Sequence, residues 1–77
     1  LFRLLTQAAE AIRAGNRHFV ELEREASDEL ARHGWVPDYV AVRKRIDLQS
    51  PSAHDSGLVV LAAARLGSTR LIDNLEV

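Results

Sequence analysis

Cysteine is absent from the 77 residues, so neither a disulfide nor a thiolate metal site can hold this chain together. That fits a reducing compartment, and a cytoplasmic setting is expected. Methionine is absent as well, and the chain begins at Leu1. A natural reading frame starts with Met, so a fragment or processed piece is expected, one that need not carry a complete active site. No apolar run approaches the roughly 20 residues needed to span a bilayer, and no membrane partner is expected. No basic stretch followed by an apolar core marks a signal peptide. Neither sign of charge is in excess. Residues 1–34 hold five Arg against six Asp or Glu, and residues 35–77 hold five Arg or Lys against five acids. Aromatics make up only 5%. Nucleic-acid binding wants a broad basic surface with stacking rings, so no nucleic-acid partner is expected.

What is present is a globular mix, 47% hydrophobic and 27% charged, in a length that allows one small domain. Leu1, Leu4, Leu5, Ala8 and Ile12 recur at helical spacing, with Arg3, Gln7 and Glu10 opposite. Gly15 offers a left-handed stop, and Asn16 a cap for the next helix. That second helix is expected from Arg17 to His33. Phe19, Leu22, Ala26 and Leu30 form its buried stripe, and Arg24–Asp28 and Asp28–Arg32 are ion pairs at i, i+4. Gly34 ends it. A link this short makes the two helices antiparallel neighbours.

From Trp35 the pattern changes to short apolar and β-branched runs. Asp38–Arg43 alternates as a strand, with Val40 and Val42 on one face and Pro37 at its start. Residues 44–57 form a loop of turn formers. Leu58–Ala64 is apolar on both faces, which suits a central strand with helices over one face and something else over the other. Gly67-Ser68 is a hairpin turn, and Thr69–Val77 a third strand. The expected fold is α+β, two antiparallel helices packed on a three-stranded antiparallel sheet, in the order ααβββ.

Several groups of residues invite a chemical reading. His54-Asp55 with Ser50, Ser52 and Ser56 has the residue types of a hydrolase triad, but all lie in one polar loop rather than on rigid elements. Gly67-Ser68-Thr69-Arg70 resembles a phosphate loop, but such loops open a helix and this one joins two strands. Arg43-Lys44-Arg45 reads as a solvated strand end, with contact to a phosphate or carboxylate of a ligand as a further option. His18 and His33 match no metal spacing, and His33 is expected to be partly buried at the end of the second helix. Phe2 and Phe19 are expected in the core. Arg70, Asp73 and Asn74 are the candidate site residues, because they place polar groups on a strand that should be mainly apolar. They serve a structural role, with Arg70 and Asp73 as partners in a polar network or Asp73-Asn74 satisfying a turn or neighbouring loop, or else a domain interface. Alternation sets Arg70, Ile72 and Asn74 on one face and Leu71, Asp73 and Leu75 on the other.

The stretch Leu61-Ala62-Ala63-Ala64-Arg65-Leu66-Gly67-Ser68-Thr69-Arg70-Leu71-Ile72-Asp73-Asn74 resembles the C-terminal signature of pantothenate synthetases, the pantoate–β-alanine ligases. Asp38-Tyr39-Val40-Ala41-Val42-Arg43 is similar to that family's Asp-Tyr strand, although Ala41 stands where the family often has an acid. The resemblance covers essentially the whole chain and implies that residues 1–77 form the C-terminal lid domain. Its partner would be an N-terminal catalytic domain of the same polypeptide, which binds ATP and Mg2+ and joins pantoate to β-alanine through a pantoyl adenylate. The His-x-Gly-His and Ser-Ser-Arg-Asn type motifs of that domain do not occur here, so no catalytic, cofactor-binding or metal residue is carried over. No cofactor is expected for the isolated chain, which should be inactive. A non-enzymatic ααβββ interaction or dimerisation module is the alternative, and a chain with an exposed docking face can associate with itself.

Overall fold

The computed structural model describes residues 1–52 and 55–77. The elements follow the expected order: α1 (Phe2–Arg13), α2 (Phe19–Arg32), β1 (Val36–Lys44), β2 (Leu58–Leu66) and β3 (Thr69–Glu76). The three strands form one antiparallel sheet in the order β1-β2-β3, with β2 central. Among the described residues, α1 lies over β2 and β3, and α2 lies over β1.

Both helices end in the same way. After α1, the Asn16 N–H donates to the Ala11 carbonyl and the Gly15 N–H to the Ile12 carbonyl, with Gly15 at φ 106°. After α2, Trp35 and Gly34 repeat the two bonds to Leu30 and Ala31. These are Schellman endings, which need a left-handed residue that glycine adopts without steric cost. The start of α2 differs from expectation. Asn16 does not cap it; its Oδ1 accepts from the His18 N–H at 2.9 Å, and His18 occupies the cap position. A short polar side chain bonding two residues ahead makes a turn rather than a helix start, so α2 begins at Phe19.

The core is the layer between helices and sheet. Leu5, Ala8, Ala9 and Ile12 from α1 meet Phe19 and Leu22 from α2 and Val42, Leu58, Val60 and Ala62 from the sheet. The stripe expected for α2 is the one observed: Phe19, Leu22, Ala26 and Leu30 are buried. Phe2 is exposed, contrary to expectation; it is the first residue of α1, one turn before Leu5, the first buried side chain of the helix. The expected Arg24–Asp28 and Asp28–Arg32 pairs are replaced by Arg32 with Glu29, one turn back on the same surface. Glu29 Oε1 also accepts from His33 Nε2 at 3.1 Å, and His33 is exposed rather than partly buried. The two neighbours hold the Glu29 carboxyl below its ordinary value, chiefly through the Arg32 hydrogen bond and then that of His33.

The outer edge of β1 is closed by a side chain. Glu23 on α2 accepts the Val42 N–H at 2.8 Å and Arg43 Nη1 at 3.1 Å. An edge strand presents unpaired N–H groups that invite further pairing, and this carboxylate occupies one of them. The 44–57 loop is tied at its base: Arg45 N–H donates to the Gly57 carbonyl and Lys44 N–H to the Gln49 carbonyl. At the other end of the sheet β2 and β3 join through two residues, Gly67 and Ser68, with Gly67 at φ 61°. A two-residue hairpin with glycine at its first position carries the twist of the flanking strands.

Candidate functional site

Because side chains alternate across a strand, the sheet has a second face turned away from the helices. The register sets out its rows across β1, β2 and β3: Tyr39–Ala63–Ile72, Ala41–Leu61–Asn74 and Arg43–Val59–Glu76. No helix or strand covers this face among the described residues. Its central strand is nonetheless apolar. Ala63 is 0% exposed, recessed between its cross-strand neighbours Tyr39 and Ile72, which are 43% and 64% exposed. The sequence had required something over each face of β2, and the described residues supply a cover for one of them.

A charged cluster closes the hairpin end of this face. Arg65 on β2 stands directly opposite Arg70 on β3. The ladder between β1 and β2 is irregular between Pro37 and Tyr39, leaving Asp38 as the extra residue of a bulge. Released from the pairing, Asp38 reaches both arginines. Its Oδ1 accepts from Arg65 Nη2 at 3.2 Å and its Oδ2 from Arg70 Nε at 2.8 Å. The Arg70 hydrogen bond is the main reason that the Asp38 carboxyl titrates below its ordinary value; partial desolvation opposes it, and the charges of Arg65 and Arg70 add to the lowering.

The three expected site residues are therefore not one cluster. Arg70 bonds to Asp38, whereas Asp73 stands on the helix side of β3, opposite Ala62, and its Oδ1 accepts the Asn74 N–H at 2.8 Å. Asn74 lies on the open face beside Leu61, and its side chain has no partner among the described residues. Sequence reasoning missed Asp38 and Arg65. The signal was available: Arg65 lies two residues before Gly67 and Arg70 two after Ser68, so a two-residue hairpin must set them face to face.

Other groups resolve into structural contacts. Each cation of Arg43-Lys44-Arg45 has its own carboxylate, in Glu23, Asp47 and Glu76. Gly67-Ser68-Thr69-Arg70 joins two strands and opens no helix. His54, with Ala53, lies outside the described residues; of its loop neighbours, Asp55 Oδ2 accepts the Ser52 N–H at 2.7 Å. Among the described residues, no three His, Asp or Glu side chains converge as a metal centre, and no helix is long and apolar enough to cross a membrane.

Comparison with known proteins bears directly on this arrangement. A family model described as pantoate–β-alanine ligase matches residues 1–76. A pantothenate synthetase of Methylococcus capsulatus is 56% identical over all 77 residues, which are 27% of that protein. One from Nitrosospira multiformis is 51% identical over the same length, 28% of its own. The chain thus spans little more than a quarter of the curated relatives it matches. The match runs through both helices and all three strands, from α1 to the end of β3, and the chain belongs to the pantoate–β-alanine ligase family.

Proposed function

We propose that these residues are the C-terminal lid of a ligase that joins pantoate to β-alanine. On this reading a larger domain of the parent carries the chemistry. There the pantoate carboxylate attacks the α-phosphorus of ATP and pyrophosphate leaves, giving pantoyl adenylate. The β-alanine amine then attacks the acyl carbon, and AMP leaves with the electron pair of the broken C–O bond. The Mg2+ that the family resemblance implies finds no ligand set among the described residues, so none of its chemistry is assigned to them.

The observation that carries the reading is the family match over residues 1–76 in a chain that is about a quarter of its relatives' length. The open sheet face gives the lid a physical basis. An acyl adenylate is lost if water reaches it, and a closing module excludes water and replaces it with fixed dipoles. That role requires a rigid body and an uncovered surface, and the face centred on Ala63 and Leu61 is such a surface.

The test is AMP and pantothenate release from ATP, pantoate and β-alanine, measured on the parent and on the parent lacking these residues. Coupled release by the parent, with AMP outrunning pantothenate once the module is deleted, is the expected result. No AMP release by the intact parent removes the ligase reading. Full, coupled activity without the module removes the lid reading alone.

A further inference from the structure

Arg65 and Arg70 face each other across β2 and β3. Like charges directly opposite on neighbouring strands are destabilising, and Asp38 offsets only one of the two. The trio keeps a net positive charge, whereas the Arg43-Lys44-Arg45 run is matched one to one by Glu23, Asp47 and Glu76. The arginine side chains are also open to solvent, at 55% and 49% exposure. Each guanidinium offers about five N–H donors in a fixed plane. Among the described residues Arg65 spends only Nη2, and Arg70 only Nε, on protein partners. A hairpin needs none of this. A threonine pair or an opposite-charge pair would hold the same register at lower cost.

We infer that Arg65 and Arg70 form an oxyanion-binding site, with Asp38 as the positioning residue that aims both guanidiniums. Two planar forks side by side match the paired oxygens of a carboxylate or phosphate. Asp38 holds one nitrogen of each fork, and the other guanidinium nitrogens of both arginines are left without protein partners among the described residues. The site adjoins the Tyr39–Ala63–Ile72 row, so it forms a charged border to the apolar face. It also lies at the end of the module where Leu1 and Trp35 line a common groove, since Trp35 leads into Val36, the register partner of Arg65. The inference rests on the lid reading: if the catalytic domain precedes Leu1, this border lies beside the junction between the two. Closure would then bring an oxyanion of a bound substrate, or a carboxylate of the larger domain, onto the pair.

The experiment is steady-state kinetics of the full-length parent with Arg65→Gln, Arg70→Gln and Arg70→Lys, alongside thermal unfolding. The lysine variant keeps the charge beside Asp38 and loses the fork, so it separates oxyanion recognition from simple ion pairing. Loss of charge-assisted hydrogen bonds should cost roughly 10- to 100-fold in kcat/KM. A rise in KM for one of ATP, pantoate or β-alanine, with melting unchanged, identifies a substrate oxyanion. A fall in kcat that is the same whichever substrate is varied, with excess AMP over pantothenate, identifies a carboxylate of the larger domain. Kinetics unchanged in all three variants overturn the inference, and so does a lowered melting temperature with unchanged kinetics. If deleting the whole module impairs the parent while these variants do not, the lid reading stands and only the oxyanion site falls.

Discussion

The helix-covered and open faces of the sheet come from the same three strands, one residue out of step. On β2, Leu58, Val60 and Ala62 enter the core beneath α1 and α2, while Val59, Leu61 and Ala63 face the other way. Both sets are apolar, so β2 alone does not distinguish them. The outer strands do. On the covered side β1 supplies Val40 and Val42, and β3 supplies Leu75 together with Asp73 opposite Ala62. On the open side they supply Tyr39, Arg43, Ile72, Asn74 and Glu76, an apolar centre with a polar border. The covered face thus carries a carboxylate on β3, and the open face a polar rim on both outer strands. Under the proposed lid role, a face that parts from its partner needs a rim that water can wet.

This contrast can be broken most severely from the covered side. Leu5→Ala removes a side chain that is 1% exposed at the centre of the core. It should cost about 2–5 kcal/mol, a large part of what so small a domain has. Urea unfolding of the chain measures it, and a cost no greater than that of a surface change would mean that the helices do not hold the sheet. Glu23→Ala comes next. It leaves the Val42 N–H without its acceptor and Arg43 without its carboxylate, for about 1–3 kcal/mol. Glu23→Gln, which keeps an acceptor, should recover part of that loss in the same measurement.

Acid sharpens the comparison at the charged border. Asp38 and Glu29 both have carboxyl groups lowered in the folded state. A lowered pKa means that the folded state favours the ionised form, so the contribution is complete above the unfolded value. It is lost as pH falls from that value through the folded one, below about pH 4. Stability followed by circular dichroism should therefore decline on acidification, and Asp38→Asn should flatten that decline. The effect is small because both groups meet solvent. An unchanged acid limb in Asp38→Asn would show that the Arg65–Asp38–Arg70 cluster contributes nothing to the isolated fold. The smallest change is expected from Ile72→Ser on the open face, within about 0.5 kcal/mol for the chain itself. If the proposed lid role holds, the same substitution in the parent should disturb closure. A core-sized loss in the isolated chain would mean that the open face is already packed there.

Much of the architecture was legible because local signals agreed. The period of Leu5, Ala8 and Ile12, the glycines at 15 and 34, and the Gly67-Ser68 turn each marked an element or its end, and the sheet order followed from hairpin connections. The candidate site was legible only in part. Arg70 was singled out because it interrupts an apolar strand, but its acidic neighbour in sequence, Asp73, is on the opposite side of the sheet. Its partner, Asp38, is 32 residues away. Nothing local marks that pairing, because it depends on a bulge whose extra residue leaves the ladder. Phe2 and Asn16 misled because a bulky ring suggests a core and an Asn a cap; Phe2 instead opens α1 exposed, and Asn16 makes a two-residue turn.

By itself the sequence determined the elements, their order and the layer that α1 and α2 cover, since periodicity and turn chemistry act within a few residues of one another. The family came from the likeness of residues 61–74 to known members. The tertiary structure alone decided that Asp38, Arg65 and Arg70 converge, and that Ala63 is sheltered on a face that no helix among the described residues covers. Those outcomes depend on strand register, and register is fixed only when three distant segments pair.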